Sequence, residues 1–533
     1  MHYTDKKHFI LFLSFIIAWL SVAVYMLDIR PALYDEFGTI WIASQPQVDD
    51  ILKKVKETDV HPPTHYLFLH FWGTFFGYSD VAMRLPSLLF ILLSIPLITR
   101  LIPLLVSIKS KKEIYFTAAL CLTTPVIWAM GITTRYYTLC MFWGLLSTFV
   151  YLKWFERKTA GWLIGNVLAI AGSFYIHYLL CVCLLIGEGL HFLAHYKEHT
   201  KLNGVQWLTS RVFIFILMIP GLCFWLVPLL STVQGEILPS YREGLVGVLA
   251  IPFLLIGNFM TLLNGAVLYP WDFWINGPLF IIAAFLILSH FFGSKSVIFN
   301  KRVIALFVIP FALVITVSVI KLDANFFRGI MRVSYLPVFA WIILGRGLFS
   351  ISTVRKRYLT LFLIILCNGY CAWVLFMNKS SITQVHPVKE MVNYIEEKTP
   401  PAISPFIIHP FIHGWGDALQ RYFPRARTII LAPNVKSSAL IDFKKMIEED
   451  SLSNVWLIQR TRFYDQYTPL SESLLKQGYM LKEEAFYQKQ RKYDLWVKEW
   501  LKSLNFLKYE EKRSFPYILS VKRFYKPNIL QNN

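Results

Sequence analysis

The chain has 533 residues, is 56% hydrophobic and carries a formal net charge of +20, with a mean hydropathy of +0.49. Soluble domains are about 45–50% apolar, so these values exclude a soluble globular protein and predict an integral membrane protein. A basic total can signal nucleic-acid binding, but here Lys and Arg sit largely in short loops between apolar runs. That is the orientation signal of a multi-pass protein, and it suits an anionic lipid surface or a phosphate-bearing substrate.

The N-terminus is basic at Lys6 and Lys7 and apolar over 9–27. Asp28-Ile29-Arg30-Pro31 follows instead of a small-residue cleavage site, which predicts a retained first helix and not a removed signal peptide. A spanning helix needs about 20 apolar residues. Candidates run near 9–27, 61–77, 84–107, 113–130, 136–153, 160–176, 178–195, 211–231, 245–263, 277–293, 303–320, 331–349 and 358–377, thirteen in all. Five loops are clearly basic: Lys109/Lys111/Lys112, Lys153/Arg157/Lys158, Lys197/Lys201/Arg211, Lys295/Lys301/Arg302 and Arg355/Lys356/Arg357. Placing all five in the cytoplasm with the N-terminus requires 28–108 and 232–294 each to cross an odd number of times. Each holds two apolar candidates, so one of each pair does not cross. The expected non-crossing pieces are 61–77, which carries His61, Pro62, Pro63, His65 and His70, and 245–263, which contains Pro252 and is flanked by Gly244 and Asn264-Gly265. Both are read as re-entrant or interface-lying on the outer side, with 28–83 forming the first outer loop. About eleven crossings result; in the alternative all thirteen cross and the charge bias fails in the first half. Both solutions leave 28–60 and everything after 378 outside.

From Lys379 the composition changes. Short apolar runs at 406–408, 428–431 and 455–458 alternate with polar, helix-like stretches at 387–397 and 438–449. This reads as an α/β domain of about 150 residues with a partly parallel sheet. His409, His413 and Asp417 lie close in sequence there and read as a surface loop before a metal or sugar site. The seven Cys are scattered, with Cys181-Val182-Cys183 the closest pair, and show neither metal spacing nor a disulfide framework.

Asp35-Glu36 follows the first helix at the membrane–water boundary. Adjacent carboxylates cannot share a helix face, so they divide two jobs: a general base on an acceptor hydroxyl or amine, and an orienting hydrogen bond or a cation site. A solvated acidic loop is the plainer reading. Phe37, Ile40 and Trp41 have helical spacing and suit a helix lying on the membrane. In His61-Pro62-Pro63, the ring of Pro63 presets φ and pushes Pro62 extended, which makes the chain at His61 rigid. A rigid imidazole at headgroup level can donate to a lipid phosphate or ligate a metal; otherwise it is an incidental His at a helix start. His65 follows one helical turn later. Arg84-Leu85-Pro86-Ser87 and Arg135-Tyr136-Tyr137 open two further helices, where an Arg can grip phosphate or snorkel to the interface. His177-Tyr178 sits at the turn of a tight helical hairpin. Arg242, Lys321, Arg328 and Arg332 add cations to outer loops. Several outer cations with one acid pair suit an anionic group on a lipid.

The order Asp35-Glu36, Asp59-Val60-His61-Pro62-Pro63, Arg84-Leu85-Pro86-Ser87, Arg135-Tyr136-Tyr137 and His177-Tyr178 resembles the GT-C glycosyltransferases, in particular the protein O-mannosyltransferase and lipid A aminoarabinose transferase superfamily. The match covers about 9–200 by motif. Beyond that it rests on the hydropathy pattern and on Arg332-Val333-Ser334-Tyr335-Leu336-Pro337. The resemblance implies a polytopic α-helical GT-C fold over 1–378, with an extracytoplasmic α/β domain over 379–533. It implies transfer of a sugar from a polyprenyl-phosphate-linked donor to a lipid, polysaccharide or protein acceptor at the extracytoplasmic face, with inversion. Asp35 would be the general base and Glu36 its companion. His61, Arg135, Arg328 and Arg332 would bind the donor phosphate, and His65, Arg84, Tyr136, His177 and Tyr178 the substrate. A divalent cation is open, with no clean ligand set visible. Protein mannosyltransferases continue His-Pro-Pro with Leu-Gly-Lys; here Thr64-His65-Tyr66 follows, and no sugar-binding module lies between the later helices. That favours a lipid or cell-envelope glycan acceptor in a bacterial inner membrane. The rival readings are a transporter or flippase for lipid-linked saccharides and a non-catalytic membrane scaffold. The first wants mid-span charges and repeated halves; Glu188 is the exception among few mid-span charges.

Overall fold

The structure, a computed structural model, describes residues 3–29, 34–59, 61–198, 200–228, 245–265, 267–268, 272–293, 297–321, 326–377, 388–399, 406–409, 427–430, 454–460, 471–472, 474–476, 478–489 and 517–525. The chain divides into two compact units, residues 1–30 with 47–383 and residues 31–46 with 384–533.

The helices run in chain order as α1 (Tyr3–Ile29), α2 (Tyr34–Ala43), α3 (Val48–Thr58), α4 (Thr64–Phe76), α5 (Asp80–Leu105), α6 (Lys111–Leu122), α7 (Pro125–Gly131), α8 (Tyr137–Arg157), α9 (Ala160–Ile176) and α10 (Tyr178–Ala194). There follow α11 (Lys201–Gly221), α12 (Leu245–Asn264), α13 (Phe273–Gly293), α14 (Val297–Val303), α15 (Ile309–Lys321), α16 (Tyr335–Ser350), α17 (Val354–Phe376) and α18 (Val388–Lys398). A π turn, Ile304–Val308, joins α14 to α15, and a 3-10 helix, Phe326–Val333, precedes α16. All but α2 and α18 belong to the first unit.

Small polar residues set the helix starts. The side chains of Ser79, Ser110 and Thr124 accept the amides of Ala82, Glu113 and Ile127, satisfying donors that have no partner inside the helix. Among the described residues seven helices are long and apolar enough to cross a membrane. The pair α6–α7, bent by 58°, makes an eighth if taken as one span. Shorter apolar helices at Ala160–Ile176, Tyr178–Ala194, Leu255–Asn264 and Tyr335–Ser350 accompany them. The chain is an integral membrane protein by these lengths.

The 13 residues of α4 rise only about 20 Å, short of a hydrocarbon core of about 30 Å. The other segment expected not to cross differs in form. It is one continuous helix of 20 residues, α12, with Pro252 inside it, and its rise of about 30 Å matches the core.

The first unit is built around α16, which is buried from Tyr335 to Leu348. Its glycines permit backbone approach: a Cβ on Gly347 would stand 2.3 Å from the Leu286 carbonyl oxygen of α13. Polar ties fix the helix ends near one another. Arg84 donates to the Leu27 carbonyl (2.7 Å), Trp72 to that of Ala82 (2.9 Å) and Ser87 to that of Thr133 (2.6 Å). Ser334 donates to the Tyr137 carbonyl. Deeper in the helices, the buried Glu188 carboxylate accepts from Asn166 Nδ2 (3.1 and 3.0 Å) and from Arg211 (3.3 Å), and Arg211 also donates to Asn166 Oδ1. This locks α9, α10 and α11 together.

In the second unit five strands form one sheet in the order β2-β1-β3-β5-β4: β1 (Phe406–His409), β2 (Arg427–Ile430), β3 (Asn454–Arg460), β4 (Met480–Lys489) and β5 (Tyr517–Tyr525). β1 pairs parallel with both β2 and β3, as the alternating pattern implies, and β5 pairs antiparallel with both β3 and β4. Ile407, Val455, Trp456, Leu457, Val521 and Phe524 are buried, as are Met391 and Ile395 of α18. Trp456 donates to Thr399 (3.1 Å), which holds α18 to the sheet. The stretch 438–449, His413 and Asp417 lie outside the described residues, as does the side chain of His409.

Candidate active site

Within the first unit, four connections bring their side chains together: the approach to α4, the start of α8, the turn between α9 and α10, and the 3-10 helix before α16. The apolar runs end at these points, so the polar residues that interrupt them gather at one end of the helices.

At the α4 approach, Pro63 lies at φ −74°, ψ −11° and leads straight into the helix. His61 therefore precedes the helix, while His65 lies within its first turn. The Asp59 carboxylate organises this corner. It accepts the His61 backbone N–H (3.2 Å) and the Tyr66 hydroxyl. Tyr136, buried at the start of α8, is the hub. Its hydroxyl is 2.8 Å from His61 Nε2. Its ring lies 4.8 Å from His61, 5.3 Å from His177 and 6.1 Å from His65, centroid to centroid. The Arg135 guanidinium stands 5.2 Å from the same ring.

The electrostatics follow from burial. Burial, followed by the charges of Arg135 and Arg332, holds His61 well below the usual imidazole range. Burial, followed by His61 and Arg332, lowers His177, against a smaller pull from Asp59. Burial and then Arg135 push His65 down to about 3, and burial pushes the Tyr136 phenol up. Near neutral pH the group is three neutral imidazoles and a neutral phenol, with two guanidiniums and one carboxylate acting on them.

A neutral imidazole has one donor and one acceptor nitrogen. His177 Nδ1 accepts the Leu179 amide (3.2 Å), so its proton sits on Nε2, which is buried without a partner. Both ring nitrogens of His65 are likewise buried without partners. Such groups cost free energy unless something answers them. An oxyanion beside two guanidiniums answers them well.

The structure therefore brings together His61, His65, Arg135, Tyr136, His177 and Arg332. Arg84 is buried and its guanidinium holds the end of α1. Tyr178 packs its ring 5.2 Å from Phe174, and its hydroxyl is buried without a partner. Asp35 and Glu36 sit on α2 in the second unit. Glu36 is fully buried there, and the side chains of Asp35 and Arg328 lie outside the described residues. Residue type does not single out Tyr66, and Asp59 enters the sequence pattern only as part of a motif. The spacing of Asp59 and Tyr66 around the Pro-Pro corner was the available signal. Among the described residues no group of three or more His, Cys, Asp or Glu side chains is arranged to hold a metal.

No protein-family model and no curated protein matches the sequence. Solved structures do. ArnT from Cupriavidus metallidurans in the apo state is 14% identical, with 86% of this chain and 94% of that one covered and a TM-score of 0.43. The oligosaccharyltransferase AglB from Archaeoglobus fulgidus, in complex with an inhibitory peptide and a dolichol-phosphate, is 12% identical over 98% and 89% of the two chains, with a TM-score of 0.46. Arabinosyltransferase EmbB from Mycobacterium smegmatis is 14% identical over 76% and 42%, with a TM-score of 0.35.

Proposed function

We propose that the protein transfers a sugar from a polyprenyl-phosphate-linked donor to a lipid, polysaccharide or protein acceptor at the extracytoplasmic membrane face. The observation that carries this reading is the buried group around Tyr136, where imidazole nitrogens of His65 and His177 lack partners beside Arg135 and Arg332. In the reaction the acceptor oxygen or nitrogen attacks C1 of the sugar. The bond from C1 to the phosphate oxygen breaks, and the configuration inverts. Negative charge grows on the departing polyprenyl phosphate, and preorganised cations and N–H donors stabilise it there. Arg135, Arg332, His61 and His177 supply that environment. Asp35 takes the acceptor's proton and Glu36 orients it; these two roles rest on the motif resemblance. The carrier that such a donor releases is of one kind with the undecaprenyl phosphate bound by ArnT and the dolichol-phosphate bound by AglB. Thr64-His65-Tyr66 departs from the protein mannosyltransferases and favours a lipid or glycan acceptor in a bacterial inner membrane. A divalent cation as an aid to the reaction stays open in this proposal.

The test is the extracted-lipid and glycan profile of cells carrying Asp35→Asn, at protein levels equal to wild type. Accumulation of one polyprenyl-phosphate sugar, with one glycoconjugate short of one residue, is the expected result. An unchanged profile with folded protein in the membrane overturns it. Release of polyprenyl phosphate by the purified protein in detergent, where no compartment exists, separates transfer from flipping.

A further inference from the structure

Away from the Tyr136 group, two buried ionisable side chains carry nitrogens that lack partners among the described residues. Arg346 lies in the last turns of α16 and His290 in the last turn of α13. They are 8% and 1% exposed. Among the described residues the Arg346 Nη1 and both ring nitrogens of His290 have no hydrogen-bond partner, and no ion pair involves either side chain. The two are neighbours. The guanidinium acts electrostatically on the imidazole, and the Gly347–Leu286 contact brings α16 and α13 to backbone distance. His290 follows Leu286 by one helical turn, on the same face.

A guanidinium nitrogen held away from water without a partner, as Arg346 Nη1 is, is expensive, and natural proteins pair such groups. Here the missing partner must accept hydrogen bonds from Arg346 and from an imidazole that can offer N–H at either nitrogen. That describes an anionic oxygen group. Its depth is also set. Arg346 stands four residues before the end of α16, about 6 Å along the axis. Basic residues follow both helices: Lys295, then Lys301 and Arg302 of α14, after α13, and Arg355, Lys356 and Arg357 in the first turn of α17 after α16. That is headgroup level, where anionic phospholipids meet cationic residues.

We infer that Arg346 and His290 form a binding site for the phosphate of an anionic phospholipid headgroup, distinct from the Tyr136 group. Phosphate in a lipid and free phosphate share this chemistry, and the experiment separates them. The full-length protein is placed in nanodiscs of phosphatidylcholine alone, of phosphatidylcholine with phosphatidylglycerol, and of phosphatidylcholine with inorganic phosphate in the buffer. Thermal melting is then read for wild type, Arg346→Gln and His290→Gln. For wild type, phosphatidylglycerol raises the melting temperature by about 2–4 °C, and both variants lose at least half of that rise. His290→Gln keeps the test alive if Arg346→Gln does not fold. Equal rises in wild type and variants overturn the site. No rise in wild type overturns it as well. An equal rise from inorganic phosphate in phosphatidylcholine overturns the lipid as the source.

Discussion

Replacing Tyr136 with Phe removes one oxygen atom and leaves the ring contacts with His61, His65 and His177. The hydroxyl lies 2.8 Å from His61 Nε2 in a buried setting, so the variant leaves a buried imidazole nitrogen unanswered. That costs about 1–3 kcal/mol. If His61 must be held in place for the departing phosphate, the loss falls on the transition state and the rate drops by about 5- to 150-fold. The assay is release of polyprenyl phosphate by purified protein at saturating and limiting donor, with a melting curve for each variant. The expected pattern is a fall in kcat larger than any rise in KM, because the ground-state ring contacts persist. A turnover within about twofold of wild type, with His61→Ala strongly impaired, would refute Tyr136 as the group that holds His61.

The remaining expectations concern stability. His65 is neutral in the folded protein down to about pH 3, whereas in the unfolded chain it takes up a proton near about 6.5. The unfolded state therefore binds more protons as pH falls, and the contribution present above about 6.5 is lost at about 1.4 kcal/mol per pH unit below it. The melting temperature of His65→Gln should fall less between about pH 7 and about pH 5 than that of wild type; equal slopes would count against a buried neutral imidazole. Arg211→Met strands the Glu188 carboxylate and should destabilise by about 3–5 kcal/mol, with Glu188→Gln added to it recovering part of the loss; an additive double variant in the same melting assay would contradict the lock. Gly347→Ala puts a Cβ 2.3 Å from the Leu286 oxygen, whereas at Gly38 nothing lies within 4 Å. Thermal melting should show a cost of about 1–3 kcal/mol at the first position and little change at the second.

Much of the architecture can be read from hydropathy, because lipid forces backbone polar groups to pair within the segment. The expected segments 160–176 and 178–195 meet α9 and α10 almost end to end, and 406–408, 428–431 and 455–458 meet β1, β2 and β3. The misses have physical causes. β4 reads Met480-Leu481-Lys482-Glu483-Glu484 at its start, and that charge density hides a strand whose pairing partner is about 40 residues away. The break at Thr123-Thr124 lies within a long apolar stretch, and only the short Thr123-Thr124-Pro125 run, with Thr124 capping α7, marks it. In the site, the motif residues around His61, Tyr136 and His177 are legible as residue types in order. The roles of Asp59 and Tyr66 are not, since a hydrogen bond between them depends on how the Pro-Pro corner folds. Arg84 illustrates the same gap: its partner is a backbone carbonyl of α1, which no side-chain pattern announces.

The break between α6 and α7 bears on how the protein enters the bilayer during synthesis. The two helices satisfy the apolar-length criterion only jointly, so the insertion machinery, which weighs the summed hydrophobicity of a segment, meets them as one passenger. Thr123 and Thr124 hydroxyls recapture the carbonyls of Leu120 and Cys121 at the bend, so the bend itself sends no bare carbonyl into lipid at these two positions. The 58° turn can therefore be adopted after partitioning, when α5, α8 and α12 close around α7.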